Sequence, residues 1–106
     1  MPGALAAFRP SSFLIDISRG GVVNQTALVT ALRERKIAGA ALDVFEEEPL
    51  PPEHPFWKLP NVMLTPHIAG LTPHYDQRAI HLFAENLTRY LAGLPLYNQF
   101  NPERGY

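Results

Sequence analysis

The sequence predicts an α/β protein: a parallel sheet of about three strands, a crossover helix between the first two, and a long helix near the C-terminus. Three observations carry that reading. Apolar runs at residues 13–17, 37–45 and 61–64 have the composition of buried strands. A segment of helical periodicity separates the first two and has the length that a right-handed crossover between parallel strands requires. A second, longer helical pattern runs from Thr72 to about Ala92.

Taken in order, residues 4–8 form a short helical turn that Pro10 halts, since the position before proline disfavours the α region. Residues 13–17 are apolar at nearly every position, as in a strand covered on both faces. Ser18-Arg19-Gly20-Gly21 closes it, and the paired glycines offer a sharp turn with open access for a ligand. Asn24 is a good N-cap for a helix over residues 26–35. Its inner face is Ala27, Leu28, Ala31 and Leu32, and Arg33, Glu34 and Arg35 lie on the other side. Arg33, Arg35 and Lys36 gather where the helix dipole favours positive charge.

Residues 37–45 form the second strand, rich in small residues at Gly39-Ala40-Ala41 and closed by Asp43. Residues 46–60 form a polar loop with one turn around residues 56–59. Loops of this length inside compact domains are usually functional or partly mobile. Six of the 11 prolines fall between Pro49 and Pro66, which marks one irregular connection. The third strand covers residues 61–64 and ends at Thr65. Thr72 caps the long helix with Pro73 at its first position, and Gly93 and Pro95 stop it. Tyr75, Ala79, Phe83, Asn86 and Tyr90 line one stripe, widened by Ile80, Leu87 and Leu91, so at least one broad face should be packed. Residues 94–106 read as an extended polar-aromatic tail, and no internal repeat is visible.

At 106 residues the chain has the size of one ordinary domain. It is 46% hydrophobic and 18% charged with a net charge of −1, which leaves no electrostatic footprint for nucleic acid or an anionic membrane. No run approaches the ~20 apolar residues of a membrane span, and no signal-peptide pattern opens the chain. Cysteine is absent, which excludes disulfides and thiolate chemistry and fits a cytoplasmic protein.

Arg19, Glu48 and His67 each follow one of the three strands. In a parallel sheet those strand ends share one edge, where ligands bind in open α/β sheets. Pro66 stiffens the chain just before His67, and the small Ala69 and Gly70 let a flat ligand or a neighbouring backbone come close. An arginine presents a planar fork to a carboxylate. A carboxylate beside a histidine orients the ring and fixes its tautomer, which readies it for proton transfer. Each residue also has a plainer reading: Arg19 as a surface charge, Glu46-Glu47-Glu48 as a solvated acidic run, His67 as a structural imidazole.

Three stretches in this order and spacing, Ile15-Asp16-Ile17-Ser18-Arg19-Gly20-Gly21-Val22-Val23-Asn24, Gly39-Ala40-Ala41-Leu42-Asp43-Val44-Phe45-Glu46-Glu47-Glu48-Pro49 and the segment from Asn61 to Gly70, resemble the C-terminal motifs of the D-isomer-specific 2-hydroxyacid dehydrogenases. The resemblance extends from about Ala4 to Tyr106. It implies a partial Rossmann-like sheet and a hydride transfer between NAD or NADP and a small 2-keto or 2-hydroxy acid, with no metal. It also implies that Arg19 binds the substrate's carboxylate and carbonyl oxygen, that Glu48 hydrogen-bonds His67, and that His67 exchanges a proton with the substrate oxygen. By the same match Asp43 holds the nicotinamide carboxamide, and Ser18, Arg19, His67 and Gly70 lie near the cofactor. The connection from Glu48 to His67, with Pro55-Phe56-Trp57-Lys58-Leu59-Pro60-Asn61, is most similar to glyoxylate/hydroxypyruvate reductase-type members.

The sequence contains no Gly-x-Gly-x-x-Gly fingerprint and no residue placed to read the ribose. The expectation is therefore about the last third of a two-domain enzyme. Residues 1–106 would be the C-terminal part of its NAD(P)-binding domain, with residues 73–106 the helix and tail returning toward a substrate domain. Such a chain is expected to be inactive alone and to belong to a homo-oligomer such as a dimer. A second function class stands beside the enzyme: an NAD-sensing binding or co-repressor module, since co-repressors of this superfamily keep the same three residues.

Overall fold

The computed structural model describes residues 2–104. The three apolar runs pair side by side as parallel strands β1 (Phe13–Asp16), β2 (Gly39–Leu42) and β3 (Val62–Leu64), in that order across the sheet. Register aligns Ile15 with Ala41 and Met63, and Asp16 with Leu42 and Leu64. All three strands are shorter than their apolar runs. The ladder nonetheless reaches one step further, because Asp43 N–H donates to Asp16 O and Thr65 N–H to Leu42 O, both at 3.0 Å.

The crossover helix α2 (Gln25–Arg33) starts where the sequence places its cap: Asn24 Oδ1 accepts from Ala27 N–H at 2.8 Å. It stops two residues earlier than periodicity suggests. Arg35 takes a left-handed φ of 56°, and Lys36 N–H closes on Ala31 O at 2.9 Å, which swings the chain toward β2. Leu28 and Leu32 of α2 pack on the sheet face that carries Leu14, Ala40, Leu42 and Val62, with Ile37 and Phe56 completing the core. A short helix α1 (Pro2–Leu5) adds Leu5 and packs against α2. It lies nearer the N-terminus than the expected turn over residues 4–8, although Ala7 and Phe8 N–H still bond back to Ala4 and Leu5 carbonyls.

The opposite sheet face is open, which corrects the expectation of a first strand covered on both sides. Phe13, Ile15 and Met63 are 71%, 73% and 68% exposed. The cause is local: both helices of this part of the chain serve the other face.

The chain divides after Ala69 into two compact units. In the second, α3 (Tyr75–Leu91) begins later than Thr72 and Pro73 propose. Thr72 instead closes the preceding turn, accepting from His74 N–H on its hydroxyl and from Tyr75 N–H on its carbonyl. The helix end is as the sequence reads: Gly93 adopts φ +66°, and Leu94 N–H returns to Arg89 O at 2.9 Å. Two further expectations fail here. No residue of α3 is buried, because its own unit offers the apolar stripe only the tail as cover. The tail is not simply extended, since Asn86 bonds the Tyr97 backbone through both its amide N–H and its oxygen. Arg89 also lies 4.2 Å over the Tyr97 ring. Tyr106, the last residue of the expected tail, lies outside the described residues. Among the described residues no helix is long and apolar enough to cross a membrane.

Candidate active site

Because all three strands run the same way, the residues that follow them meet at one edge. β1 ends in an Asx-type turn: Asp16 Oδ1 accepts from the Ser18 N–H at 3.0 Å and from its hydroxyl at 2.5 Å. Arg19 follows, with Nη1 donating to Ser18 O at 2.7 Å. Of the paired glycines read as an opening for a ligand, Gly21 faces open space and Gly20 does not. A Cβ on Gly20 would lie 1.9 Å from the Phe45 carbonyl oxygen, so the space is filled by the chain leaving β2. Glycine is needed there because two backbones touch, and that contact brings Arg19 beside the Glu46–Glu48 segment. Gly21, at φ +86°, completes the turn.

After β2, Glu48 turns back on its own loop. Its Oε1 accepts from Phe45 N–H at 2.9 Å, and its Oε2 meets His67 Nδ1 at 2.6 Å. A carboxylate only accepts, so Nδ1 carries the hydrogen of this bond, and Nε2 is the ring atom left to exchange a proton with a ligand. The His67 hydrogen bond, supported by the Phe45 N–H, holds the Glu48 carboxyl below the usual carboxylate range. Arg19, Gly20, Phe45, Glu46, Glu48 and His67 together line a shallow cavity of about 290 Å³. The structure thus brings the three expected residues to one cavity and pairs two of them. Arg19 shares the cavity without an ion pair to Glu48 or His67.

Asp43 is buried at the β2 end, and its bonds lie within the turn that carries His67. Oδ1 accepts from the Thr65 hydroxyl at 2.6 Å and from Ile68 N–H at 2.9 Å, and Oδ2 accepts from Ala69 N–H at 2.9 Å. The Thr65 hydroxyl, then the Ala69 and Ile68 N–H groups, with His67 nearby, hold this carboxyl below its ordinary value against the opposing effect of burial. A carboxylate has about four acceptor positions, so three donors leave one, on Oδ2. That remaining position fits an amide N–H such as a nicotinamide carboxamide presents. Ser18 sits at the same sheet edge with its hydroxyl engaged by Asp16. Gly70 opens the second unit, and the space a side chain would occupy there is empty.

The sequence reading missed Thr65 as anything beyond a strand end. The signal was register: Asp43 and Thr65 each follow the last residue of adjacent strands, which makes them cross-strand neighbours. It also missed an apolar cavity of about 570 Å³ beside His67 and Glu48, walled by Phe45, Leu50, Trp57, Leu64 and Pro66. Its wall is stiffened by a 3₁₀ turn (Pro55–Lys58), within which Trp57 Nε1–H donates to Pro51 O at 2.8 Å. The loop turn expected from the sequence is this element.

A βαβ sheet with an arginine and a carboxylate–histidine pair at its C-terminal edge has the architecture of a nucleotide-binding α/β domain with an acid–base group built onto it. A family model described as the NAD binding domain of the D-isomer specific 2-hydroxyacid dehydrogenases matches residues 3–69, and the chain belongs to that family. It is 53% identical over 89 residues to a glyoxylate reductase of Thermofilum pendens, covering 84% of this chain and 26% of the relative. Among solved structures, a D-isomer specific 2-hydroxyacid dehydrogenase from Xanthobacter autotrophicus Py2, in complex with NADPH and MES, superimposes with a TM-score of 0.87 at 43% identity. The match covers 99% of this chain and 43% of that one. An NADPH-dependent glyoxylate/hydroxypyruvate reductase from Sinorhizobium meliloti, in complex with NADP and sulfate, gives a TM-score of 0.83 at 33% identity over 99% of this chain and 34% of that one. The chain spans roughly a quarter to a third of the length of the curated relatives it matches.

Proposed function

We propose that this chain supplies the acid–base group and the carboxylate clamp for reduction of a small 2-keto acid of the glyoxylate/hydroxypyruvate class, and for the reverse oxidation of a 2-hydroxy acid. The observation that carries the reading is the His67–Glu48 pair at 2.6 Å on a cavity that Arg19 also lines. When bound, the nicotinamide supplies or accepts the hydride. The chain's own residues do the rest. Arg19 grips the substrate carboxylate, which orients the carbonyl toward His67. His67 delivers a proton from Nε2 to the carbonyl oxygen in reduction and removes it in oxidation. Glu48 keeps the ring in the tautomer that leaves Nε2 available. Asp43 offers its remaining acceptor position to the carboxamide, and Ser18 and Gly70 are assigned to the cofactor's surroundings.

Both solved structures described above hold NADP(H), so NADPH is the first cofactor to test, with NADH as the comparison. Residues 73–106 are read as the helix and tail that return to a substrate domain, within a homodimer. The test is steady-state kinetics of glyoxylate and hydroxypyruvate reduction by a polypeptide carrying this chain. His67→Ala should lose roughly 10²–10⁴-fold in kcat. Arg19→Lys should chiefly raise the substrate KM, because an ammonium cannot reproduce the bidentate fork. Tight cofactor binding with no turnover in the unmutated protein would favour the binding-module reading instead.

A further inference from the structure

His67 sits at φ +54°, in the left-handed region that few non-glycine residues adopt. The donors that grip this turn come from both sides of it: the Thr65 side chain before His67, and the Ile68 and Ala69 backbone N–H groups after it. All three converge on the carboxylate of one residue, Asp43, carried by the neighbouring strand. Thr65 is itself fixed by the ladder, since its N–H donates to Leu42 O. We infer that Thr65 and Asp43 form a clamp that positions His67, holding its backbone left-handed so that Nδ1 reaches Glu48 and Nε2 faces the cavity.

The inference rests on the proposed function for what the positioning serves. It adds Thr65, which the sequence presents only as a strand end, and gives Asp43 a task independent of any cofactor. A charged acceptor makes stronger hydrogen bonds than a neutral one, and here three of them act on five consecutive residues. Without the clamp the His67 backbone can relax to an ordinary conformation, and the ring swings away from Glu48. Thr65 is two residues and one hydrogen bond removed from Glu48; it lines the larger apolar cavity with Glu48 and His67 but not the one that Arg19 lines. It is therefore a positioning residue, one that acts through the turn.

The experiment is a ¹³C NMR pH titration of the Glu48 side-chain carboxyl in a folded polypeptide carrying this chain, comparing the unmutated protein with Thr65→Val and Thr65→Ser. In the unmutated chain the Glu48 midpoint lies below the ordinary ~4.3, because His67 is bonded to it. Thr65→Val should raise that midpoint toward ~4.3 as the ring departs, and Thr65→Ser, which keeps the hydroxyl, should restore it. Thr65→Ala provides a second variant if valine prevents folding. It too removes the hydroxyl that donates to Asp43, and the Glu48 midpoint should again rise. A Thr65→Val chain that is folded, even less stable, but keeps the unmutated Glu48 midpoint overturns the clamp. So does a Thr65→Ser chain whose midpoint rises as far as valine's. No turnover is measured, so failure of the dehydrogenase reading would leave this result standing, and the reverse also holds.

Discussion

Asp43 and Glu48 lie five positions apart, and both are held below their ordinary carboxylate values by groups of the His67 turn. A carboxyl that binds its proton less readily in the folded state contributes stability that is fully present above its unfolded value. That stability is lost as pH falls through the lowered folded value. Both bonds should therefore be intact at neutral pH and weaken on acidification below about pH 4. Amide hydrogen exchange at Ile68 and Ala69, corrected for intrinsic rates, should show protection falling in that range. Protection that persists unchanged through it would mean these N–H groups do not depend on the Asp43 charge. Gly20 offers a second test at this scale. Gly20→Ala drives a methyl into the Phe45 carbonyl, so the turn must shift and carry Arg19 off the cavity. A folded Gly20→Ala protein with unchanged substrate KM would contradict the role given to that contact. Arg19, Glu48 and His67 were legible in the sequence because they occupy recognisable motifs at strand ends. Thr65 and the Gly20–Phe45 contact were not, because each depends on which residue of one segment lies opposite which residue of another.

The elements that local chemistry specifies are those the sequence predicted best. Asn24 caps α2 and Gly93 ends α3 because a side-chain acceptor and a left-handed residue act over one turn. Asn24→Ala removes the acceptor for Ala27 N–H and should cost about 0.5–2 kcal/mol in urea denaturation. Asn61 joins the elements at longer range, donating to Leu32 O at the end of α2 and to Ala38 O before β2, at 3.2 and 3.3 Å. Asn61→Ala should cost about 1–3 kcal/mol, with loss near zero showing that water replaces both bonds. Boundaries were harder to read. Hydrophobicity marks where a strand is buried, whereas the strand stops where the backbone turns toward the site, at Asp16, Leu42 and Leu64. The start of α3 was misplaced for a related reason: Thr72 can serve a turn as readily as a helix cap, and composition does not distinguish the two.

Within the first unit the core is one-sided. Leu28, Leu32, Ile37 and Phe56 are buried on one sheet face, and Phe13, Ile15 and Met63 lie open on the other. Apolar sheet faces and unpaired strand edges favour association, so the 106-residue chain by itself should form dimers or larger species, or a partly molten monomer. Light scattering checks this, and a sharp, cooperatively unfolding monomer would contradict it. The open face departs from the reading of the first strand as covered on both sides, because an apolar run looks the same whether or not this chain supplies the second cover.

The central claim is that His67 moves the proton in a 2-keto acid reduction. The pair of pH–rate profiles in the two directions tests it most directly, measured on an active polypeptide carrying this chain. Reduction needs the protonated imidazole, so kcat/KM for glyoxylate should fall as pH rises. Oxidation of the 2-hydroxy acid needs the neutral ring and should rise with pH. In His67→Ala both limbs should vanish along with most of the rate. Profiles that run parallel in the two directions, or limbs that survive in His67→Ala, would show that the proton passes through another group.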